Sequence, residues 1–392
     1  MEEENSNLMT LNLGPSHPAT HGAVRVRVEL DGETIQRAQT EIGYLHRAFE
    51  KHSEHGTWTQ VIPYTDRLNY CSSLMNNVGY CRAVETLLGI EIPERAVFIR
   101  VIISELSRVM DHLVCIGAAA VDLGALTNFW YFFNVREQAY DIIEKICGAR
   151  LTTAYTRIGG VMRDLPVGFT GEMKVLLKNL DKAIHEVATL LEKNRIFIDR
   201  TRGVGVISKE EAISYGYTGP CLRAVGVPHD LRRDEPYYYY DSFDWEVPVR
   251  DGGDTYDRLM IRFDEMRQSR RIIEQALNRL PSGPVIVKDP RIALPDKEKV
   301  YNSIEGLMNH FMLVMDGIKP PKGTIYSATE AANGELGFYI VSDGKAKPYR
   351  IRVRPPCFPL FSSYASLIEG GMVADAIATL GSLNIVVGEL DR

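Results

Sequence analysis

Three polar residues stand where ordinary packing does not ask for them. His21 lies in "GPSHPATHG" (residues 14–22), Tyr70 ends "YTDRLNY", and Asp122 interrupts the small apolar stretch "AAAVDLGAL". Together they form a proton-donating set. A phenol is a neutral donor at pH 7, an imidazole titrates near neutrality, and a carboxylate beside the imidazole favours its charged form. Each residue alone also fits the reading of a satisfied polar group, although a carboxylate in so apolar a stretch would be a costly buried charge. The loop histidines fit two roles: ordinary turn residues, or imidazole presented to a ligand from a sheet edge. His17 and His21 have the spacing of a helical metal clamp, but Pro18 removes a backbone donor and disfavours helix at His17. The helical metal pair is therefore excluded.

Other familiar chemistry is absent. "GVGVIS" (203–208) lacks the third glycine of a dinucleotide fingerprint and does not open a strand-turn-helix unit, and there is no phosphate-binding loop. None of the nine histidines has a glutamate three residues before it, as a bundle di-iron site requires. Asp181 and His185 are a lone pair on a helix face, and His52 and His55 in "HSEH" lack a third ligand nearby, so both read as polar helix surface. Hydrolase signatures are missing. The six cysteines (Cys71, Cys81, Cys115, Cys147, Cys221, Cys357) include no C-x-x-C pair, which argues against disulfides, a zinc knuckle or a cysteine-ligated cluster and leaves reduced, buried thiols.

The elements that must position the three polar residues follow from periodicity. "MTLNL" and "VRVRVEL" alternate with period two, and Asp31-Gly32 turns the chain into "ETIQRAQT", predicting a small antiparallel sheet whose first connection is the histidine loop. In "RAVFIRVIISELSRVMDHLVCIG" the polar residues Arg100, Ser104, Ser107, Arg108, Asp111 and His112 share one stripe; apart from Glu105 the rest after Arg100 is apolar, which places this helix inside a bundle. "EMKVLLKNLDKAIHEVATLLEKNRIFIDR" and "TYDRLMIRFDEMRQSRRIIEQALNRL" each carry one apolar stripe and are expected on the outside of that bundle. Between them, Ser208 and Glu211 fit a capping box, and "YYYY" (237–240) reads as either a recognition surface or loop packing. "GFYIVSDGKAKPYRIRVRP" predicts a hairpin and "SLIEGGMVADAIATLGSL" a last helical region.

Composition bounds the class. The chain has 392 residues, 45% hydrophobic and 24% charged, with a formal net charge of -6. That is an ordinary globular composition without the basic excess expected for nucleic acid or an anionic membrane. No run approaches ~18 uninterrupted apolar residues and "MEEENSN" is acidic where a signal peptide is basic, so the chain is expected to stay in the cytoplasm unless a membrane partner holds it. Three segments are expected to share one compact body: an antiparallel β region carrying the loop (1–65), a helical core (66–280) and an α+β region (281–392).

"GPSHPATHG", "GYLHRAFEK", "YTDRLNY", "SELSR" followed by "HL", "DLGALT", "RIGGV", "GVGVI", "YDR", "EMRQS", "GFYIVSDG" and "GSLNIVVGELDR" occur in this order. In these motifs, which cover essentially everything after residue 8, the chain resembles the 49-kilodalton, or D, subunits of the proton-translocating NADH-quinone oxidoreductases, respiratory complex I. The resemblance implies an α+β, mainly α fold shared with the large subunit of nickel-iron hydrogenases, a helical bundle with small antiparallel sheets at both ends. It also implies loss of the hydrogenase metal, with which the missing cysteine pairs agree. No fused C-type domain is expected before the chain.

It further implies a translocase subunit, inactive alone, that forms the quinone-reduction site with the B subunit beside that partner's terminal 4Fe-4S cluster. His21 and Tyr70 would flank the quinone headgroup, Asp122 would partner His21, and Arg47 and Arg67 would approach the cluster. No metal and no covalent cofactor would belong to this chain. Its partners would be the B, C and I subunits, the H and A membrane subunits, and quinone, with no nucleic acid; its place would be peripheral, at the cytoplasmic face of the inner membrane. The other classes compatible with parts of the pattern are a hydrogenase-type large subunit and a non-catalytic scaffold. Four departures from the family pattern stand out. Ala48 replaces a glycine, "EAANGE" replaces a Pro-Lys/Arg-Gly-Glu turn, Asn384 replaces an aspartate, and Thr152 stands where many relatives have histidine.

Overall fold

The structure is a computed structural model that describes residues 8–20 and 22–392. The N-terminal strands β1 (Met9–Leu13), β2 (Arg25–Asp31) and β3 (Thr34–Glu41) form an antiparallel sheet in that order. Asp31 pairs with Thr34 across a two-residue turn in which Gly32 takes φ +62°, a conformation glycine adopts without steric cost. Alternation buries Val26, Val28 and Leu30 and turns Arg27 outward. Beyond β3, Ile35 N–H donates to Gly371 O at 2.8 Å, so the far edge of the sheet is tied to the C-terminal region.

The chain then passes through α1 (Phe49–His55) and α2 (Ile62–Thr65) into α3 (Ser73–Leu88), α4 (Glu94–Asp122) and α5 (Leu126–Cys147). A two-stranded turn, β4 (Thr156–Arg157) with β5 (Gly160–Val161), leads to α6 (Phe169–Glu192) and α7 (Arg195–Thr201). The 203–253 stretch holds only short helices, α8 (Lys209–Ser214), α9 (Gly219–Arg223) and α10 (Leu231–Asp234), before α11 (Thr255–Asn278). The Ser208–Glu211 capping box starts α8 as its sequence predicts. After α12 (Lys297–Asn302) and α13 (Ile304–Met315), strands β6 (Gly323–Ala331), β7 (Gly334–Ser342) and β8 (Arg350–Arg354) form a second antiparallel sheet. Helices α14 (Cys357–Ser362), α15 (Tyr364–Ile368), α16 (Val373–Leu383) and α17 (Val387–Leu390) finish the chain. The fold is α+β and mainly α. Among the described residues no helix is long and apolar enough to cross a membrane.

Three apolar clusters hold these elements. One joins α4, α5, α6 and α11; one joins the N-terminal sheet to α14–α17; one packs α1 and α3 on β6–β8. The expectation for α11 needs correction: it lies inside rather than on the outer surface, with Arg258, Arg262 and Glu265 buried together with its apolar residues. Its charged residues do not mark a solvent face because they pair across the interior. Within the tyrosine run Tyr240 is packed, buried with its hydroxyl donating to Glu105 at 2.8 Å, while Tyr239 is exposed.

That pairing is extensive. The polar stripe of α4 is buried, and Glu105 accepts from Arg232 at 3.1 Å, Ser269 at 2.6 Å and Arg108 at 3.3 Å. Arg232 also binds Asp230 at 2.7 Å, while Arg223 reaches Glu265 at 2.5 Å and Glu330 at 2.8 Å. His112 Nε2 meets Glu265 at 2.8 Å and its Nδ1 meets Arg262 at 3.3 Å. Burial lowers the pKa of His112, so the ring is neutral, donating from Nε2 and accepting at Nδ1. Burial acts to raise Glu105, but Arg232 and Arg108 outweigh it and hold the carboxyl below its ordinary range. Removing one member of such an array strands the others without solvent. Glu105→Gln is expected to destabilise the protein by ~3–5 kcal/mol and to lower its Tm in a thermal melt. Glu137→Gln, which breaks only an exposed contact with Arg150, should leave the Tm where it was.

Candidate functional site

Tyr70 opens a short 3-10 turn, Tyr70–Ser72, and the residue before it fixes its position. Asn69 accepts from Cys71 N–H at 3.1 Å, donates from Nδ2 to Asp111 Oδ2 at 2.7 Å, and takes Asn76 Nδ2 on its carbonyl at 2.9 Å. The C-terminal segment closes over this turn. A Cβ on Gly388 would fall 2.7 Å from Leu68 O, 2.8 Å from Arg67 O and 3.2 Å from Tyr70 Cδ1, so only glycine permits the approach. Tyr70 is half-buried; burial, reinforced by Cys71 and Cys357, pushes its phenol up to about 12, against the pull of Arg47. It is therefore a neutral hydrogen-bond donor at physiological pH.

Arg47 and Arg67 meet at the same turn. Arg47 Nη2 donates to Arg67 O at 2.9 Å and to Gly388 O at 3.3 Å. Arg67 Nη1 donates to Asp66 Oδ1 at 3.0 Å and to Pro63 O, and its side chain is half exposed. Burial, with Arg67 beside it, lowers the Arg47 pKa. Two adjacent guanidiniums reaching the surface suit an anionic group in a partner. Thr152, exposed, belongs to the same neighbourhood: Ser73 Oγ, three residues after Tyr70, bonds Leu151 O at 2.7 Å and Thr153 Oγ1 at 2.8 Å.

The histidine loop joins β1 to β2, as its sequence predicts, and contains a 3-10 turn at Pro18–Thr20. The His17 carbonyl accepts from Thr20 N–H at 3.1 Å, from Thr20 Oγ1 at 2.9 Å and from Gly22 N–H at 3.3 Å. A Cβ on Gly14 (φ +78°) would fall 2.1 Å from Val24 O, so the loop closes on itself only with glycine there. His21 lies outside the described residues. Asp122 is not a buried charge in an apolar wall, as its sequence neighbours suggest. It is the last residue of α4 and is exposed, because the helix stops just beyond it. Partial desolvation raises its carboxyl to about 6, with the nearby His17 pulling the other way. Its position at a helix C-terminus, where the dipole disfavours negative charge, acts in the same direction as the desolvation. A Cβ on Gly381 of α16 would sit 3.7 Å from Asp122 Oδ2.

Two groupings thus form, Tyr70 with Arg47 and Arg67, and Asp122 with the β1–β2 loop. Helix α4 spans them: Asp111 holds the Tyr70 turn through Asn69, and Asp122 follows eleven residues later, ~16 Å along the axis. The chain from Gly381 to Gly388 spans them as well.

Three of the departures also find physical form. Ala48 adopts φ +53° before α1, a left-handed conformation that strains alanine where glycine would be free. Asn384 ends α16 at φ +54°, which asparagine tolerates. Its amide donates to Asp111 Oδ1 at 2.5 Å and to Asn333 Oδ1 at 2.8 Å. Asn333 is the middle of "EAANGE", so two departures touch: a neutral amide pair fills a place where the resemblance expects a cation and a carboxylate. Sequence reasoning passed over Asn69, Asp111, Cys357 and Glu389 as members of this region. Glu389 carries the signal used for Asp122, a carboxylate in an apolar run, "IVVGEL".

The family described as respiratory-chain NADH dehydrogenase, 49 Kd subunit, matches residues 122–392. The chain is 57% identical over 388 residues to the fused C/D-type NADH-quinone oxidoreductase polypeptide of Bdellovibrio bacteriovorus, covering 99% of this chain and 69% of that protein. It is 53% identical over 384 residues to the D-type NADH-quinone oxidoreductase polypeptide of Myxococcus xanthus, covering 98% and 92%. Against the D-type polypeptide of Geotalea uraniireducens it is 51% identical over 387 residues, covering 99% of each. With the helical core, the two three-stranded sheets and the motifs in order, these matches show that the chain belongs to the 49-kilodalton subunit family of the respiratory-chain NADH dehydrogenases.

Proposed function

We propose that this chain forms the quinone-reducing site of a proton-translocating NADH-quinone oxidoreductase together with a B subunit whose 4Fe-4S cluster lies against Arg47 and Arg67. The observation that carries this reading is the Tyr70 turn: a neutral phenol, locked by Asn69 and Gly388, beside two arginines that reach the surface. The C and I subunits and the H and A membrane subunits are its further partners in the complex, with this chain peripheral at the cytoplasmic face of the inner membrane.

The chemistry needs donors more than it needs a nucleophile. A quinone carbonyl only accepts hydrogen bonds, and as two electrons reach it its oxygens become strongly basic. Tyr70 gives its hydroxyl proton to one oxygen and His21 gives an imidazolium proton to the other. Asp122 favours the charged imidazole while it is itself ionised. Loss of the His21 proton leaves Asp122 uncompensated, a local change of charge that biases the contact with the membrane partners.

Tyr70→Phe keeps the ring against Gly388 and removes only the hydroxyl. It should reduce quinone turnover at least ~tenfold while NADH:ferricyanide activity, which takes electrons upstream, persists. Wild-type quinone turnover would favour a scaffold. Asp122→Asn should move the pH optimum of quinone reduction downward, since the imidazole then charges only at lower pH. Because partial desolvation raises the wild-type carboxyl to about 6, the two profiles should converge below that pH; coincident profiles throughout would leave Asp122 without this role. Thr152 does not titrate, so the potential of the neighbouring cluster should change with pH by far less than the ~59 mV per unit of a full one-proton coupling. Redox titration of its electron paramagnetic resonance signal at pH 6 and pH 8 measures that slope.

A further inference from the structure

Behind Tyr70 lies a carboxyl that the proposed chemistry does not use. Glu389, in α17, is fully buried. Its Oε2 accepts from Cys357 Sγ at 2.8 Å, and among the described residues its Oε1 has no hydrogen-bond partner. The Cys357 sulfur is itself held, taking Val386 N–H at 3.5 Å and Asn333 Nδ2 at 3.7 Å. The other charged groups that face Glu389 are Asp111 from α4, Arg354 from β8 and Arg392 from the chain end. Burial pushes the carboxyl up to about 8, and Asp111 adds to the rise, against the Cys357 hydrogen bond and the two arginines. At pH 7 Glu389 therefore keeps its proton.

The same groups bear on Tyr70. Gly388, one residue before Glu389, packs against the Tyr70 ring, and the phenol faces Cys71, Cys357, Arg47 and Asp111. Asp111 accepts two amide donors, from Asn69 and Asn384. When the Tyr70 O–H bond breaks and a quinone O–H bond forms, a phenolate is left beside these groups. A negative charge on Glu389, which shares Cys357 and Asp111 as neighbours with Tyr70 and follows Gly388 against its ring, would oppose the transfer.

Resting on the quinone-site reading, we propose that Glu389 is a positioning residue for the Tyr70 proton transfer: a neutral carboxyl, held by the Cys357 thiol, whose ionisation switches the tyrosine off as a donor. Glu389 keeps its own proton throughout the transfer and exchanges nothing with the quinone. Above about pH 8 Glu389 ionises, the phenol becomes a weaker acid, and quinone reduction falls.

The test is the alkaline limb of kcat for quinone reduction in the assembled complex, with NADH:ferricyanide activity as the upstream control. In the wild type, ionisation of Glu389 should contribute about a tenfold fall in rate from pH 7 to pH 9, the fraction of a single group left protonated one unit above its midpoint, beyond the fall that loss of the His21 imidazolium imposes. In Glu389→Gln, which cannot ionise, that tenfold contribution should disappear, so the fall from pH 7 to pH 9 is about tenfold shallower and only the limb set by the His21 imidazolium remains. Cys357→Ala removes a hydrogen bond that favours the carboxylate, so its limb should move to higher pH. A merely structural role would lower activity evenly across the range. An alkaline limb unchanged in Glu389→Gln overturns the proposal; if that variant does not assemble, an unmoved limb in Cys357→Ala overturns it. Tyr70→Phe in the same assay separates the two ideas. No loss there defeats the quinone-site reading itself, whereas loss there with an unmoved Glu389→Gln limb defeats only this inference.

Discussion

Buried guanidiniums on α4, α9, α10 and α11 are the constraint on which the rest of the molecule depends. Arg108, Arg223 and Arg232 are fully or almost fully removed from water and cannot lose their protons, so Glu105, Asp230, Glu265 and Glu330 have to reach them with good geometry, while Arg262 is held by His112 and Asn333. An apolar seam of similar volume would hold as firmly. What the pairs add is direction, because a guanidinium donates its hydrogen bonds in its own plane. Arg108 binds the carbonyls of Glu330 and Ala331, fixing β6 against α4. Arg258 ties α11 to α16 through Ser382 at 2.9 Å. The rotation of α4, and with it the placement of Asp111 and Asp122, is set by this array.

The candidate site inherits that rigidity through a second, mostly neutral set of hydrogen bonds. Asn69, Asp111, Asn384 and Asn333 run from the Tyr70 turn to Arg262, so the polar path from the tyrosine to the charged seam is continuous. Residues from both ends of the chain complete it, since Arg47 and Arg67 are useful only where Gly388 lets α17 approach. The Asn333–Asn384 contact shows why substitutions at distant positions in the chain belong together. Placing a lone cation or a lone carboxylate at either position would leave it facing an amide in a dry interior, at a cost that only a matching change can offset.

Local chemistry made much of this protein readable in advance. Period-two alternation in "VRVRVEL", the Asp31-Gly32 turn, the Ser208–Glu211 box and the length of the apolar run in α4 each depend on a few neighbouring residues, and each produced the element it predicts. Motif order identified the family, and Pro18 excluded a helical histidine pair. Tertiary structure decided the questions that depend on what lies across a gap. The charged stripe of α11 reads the same whether it faces water or another ionic helix, so its burial was not legible. Asp122 looked buried because its sequence neighbours are apolar, yet a helix end put it at the surface. Asn69, Asp111, Cys357 and Glu389 are hundreds of residues apart at the extremes and became one environment only when α17 closed on the Tyr70 turn. Hydrogen bonding and desolvation act over a few ångströms in space with no regard to separation along the chain, and for that reason the polar interior could be seen only after folding.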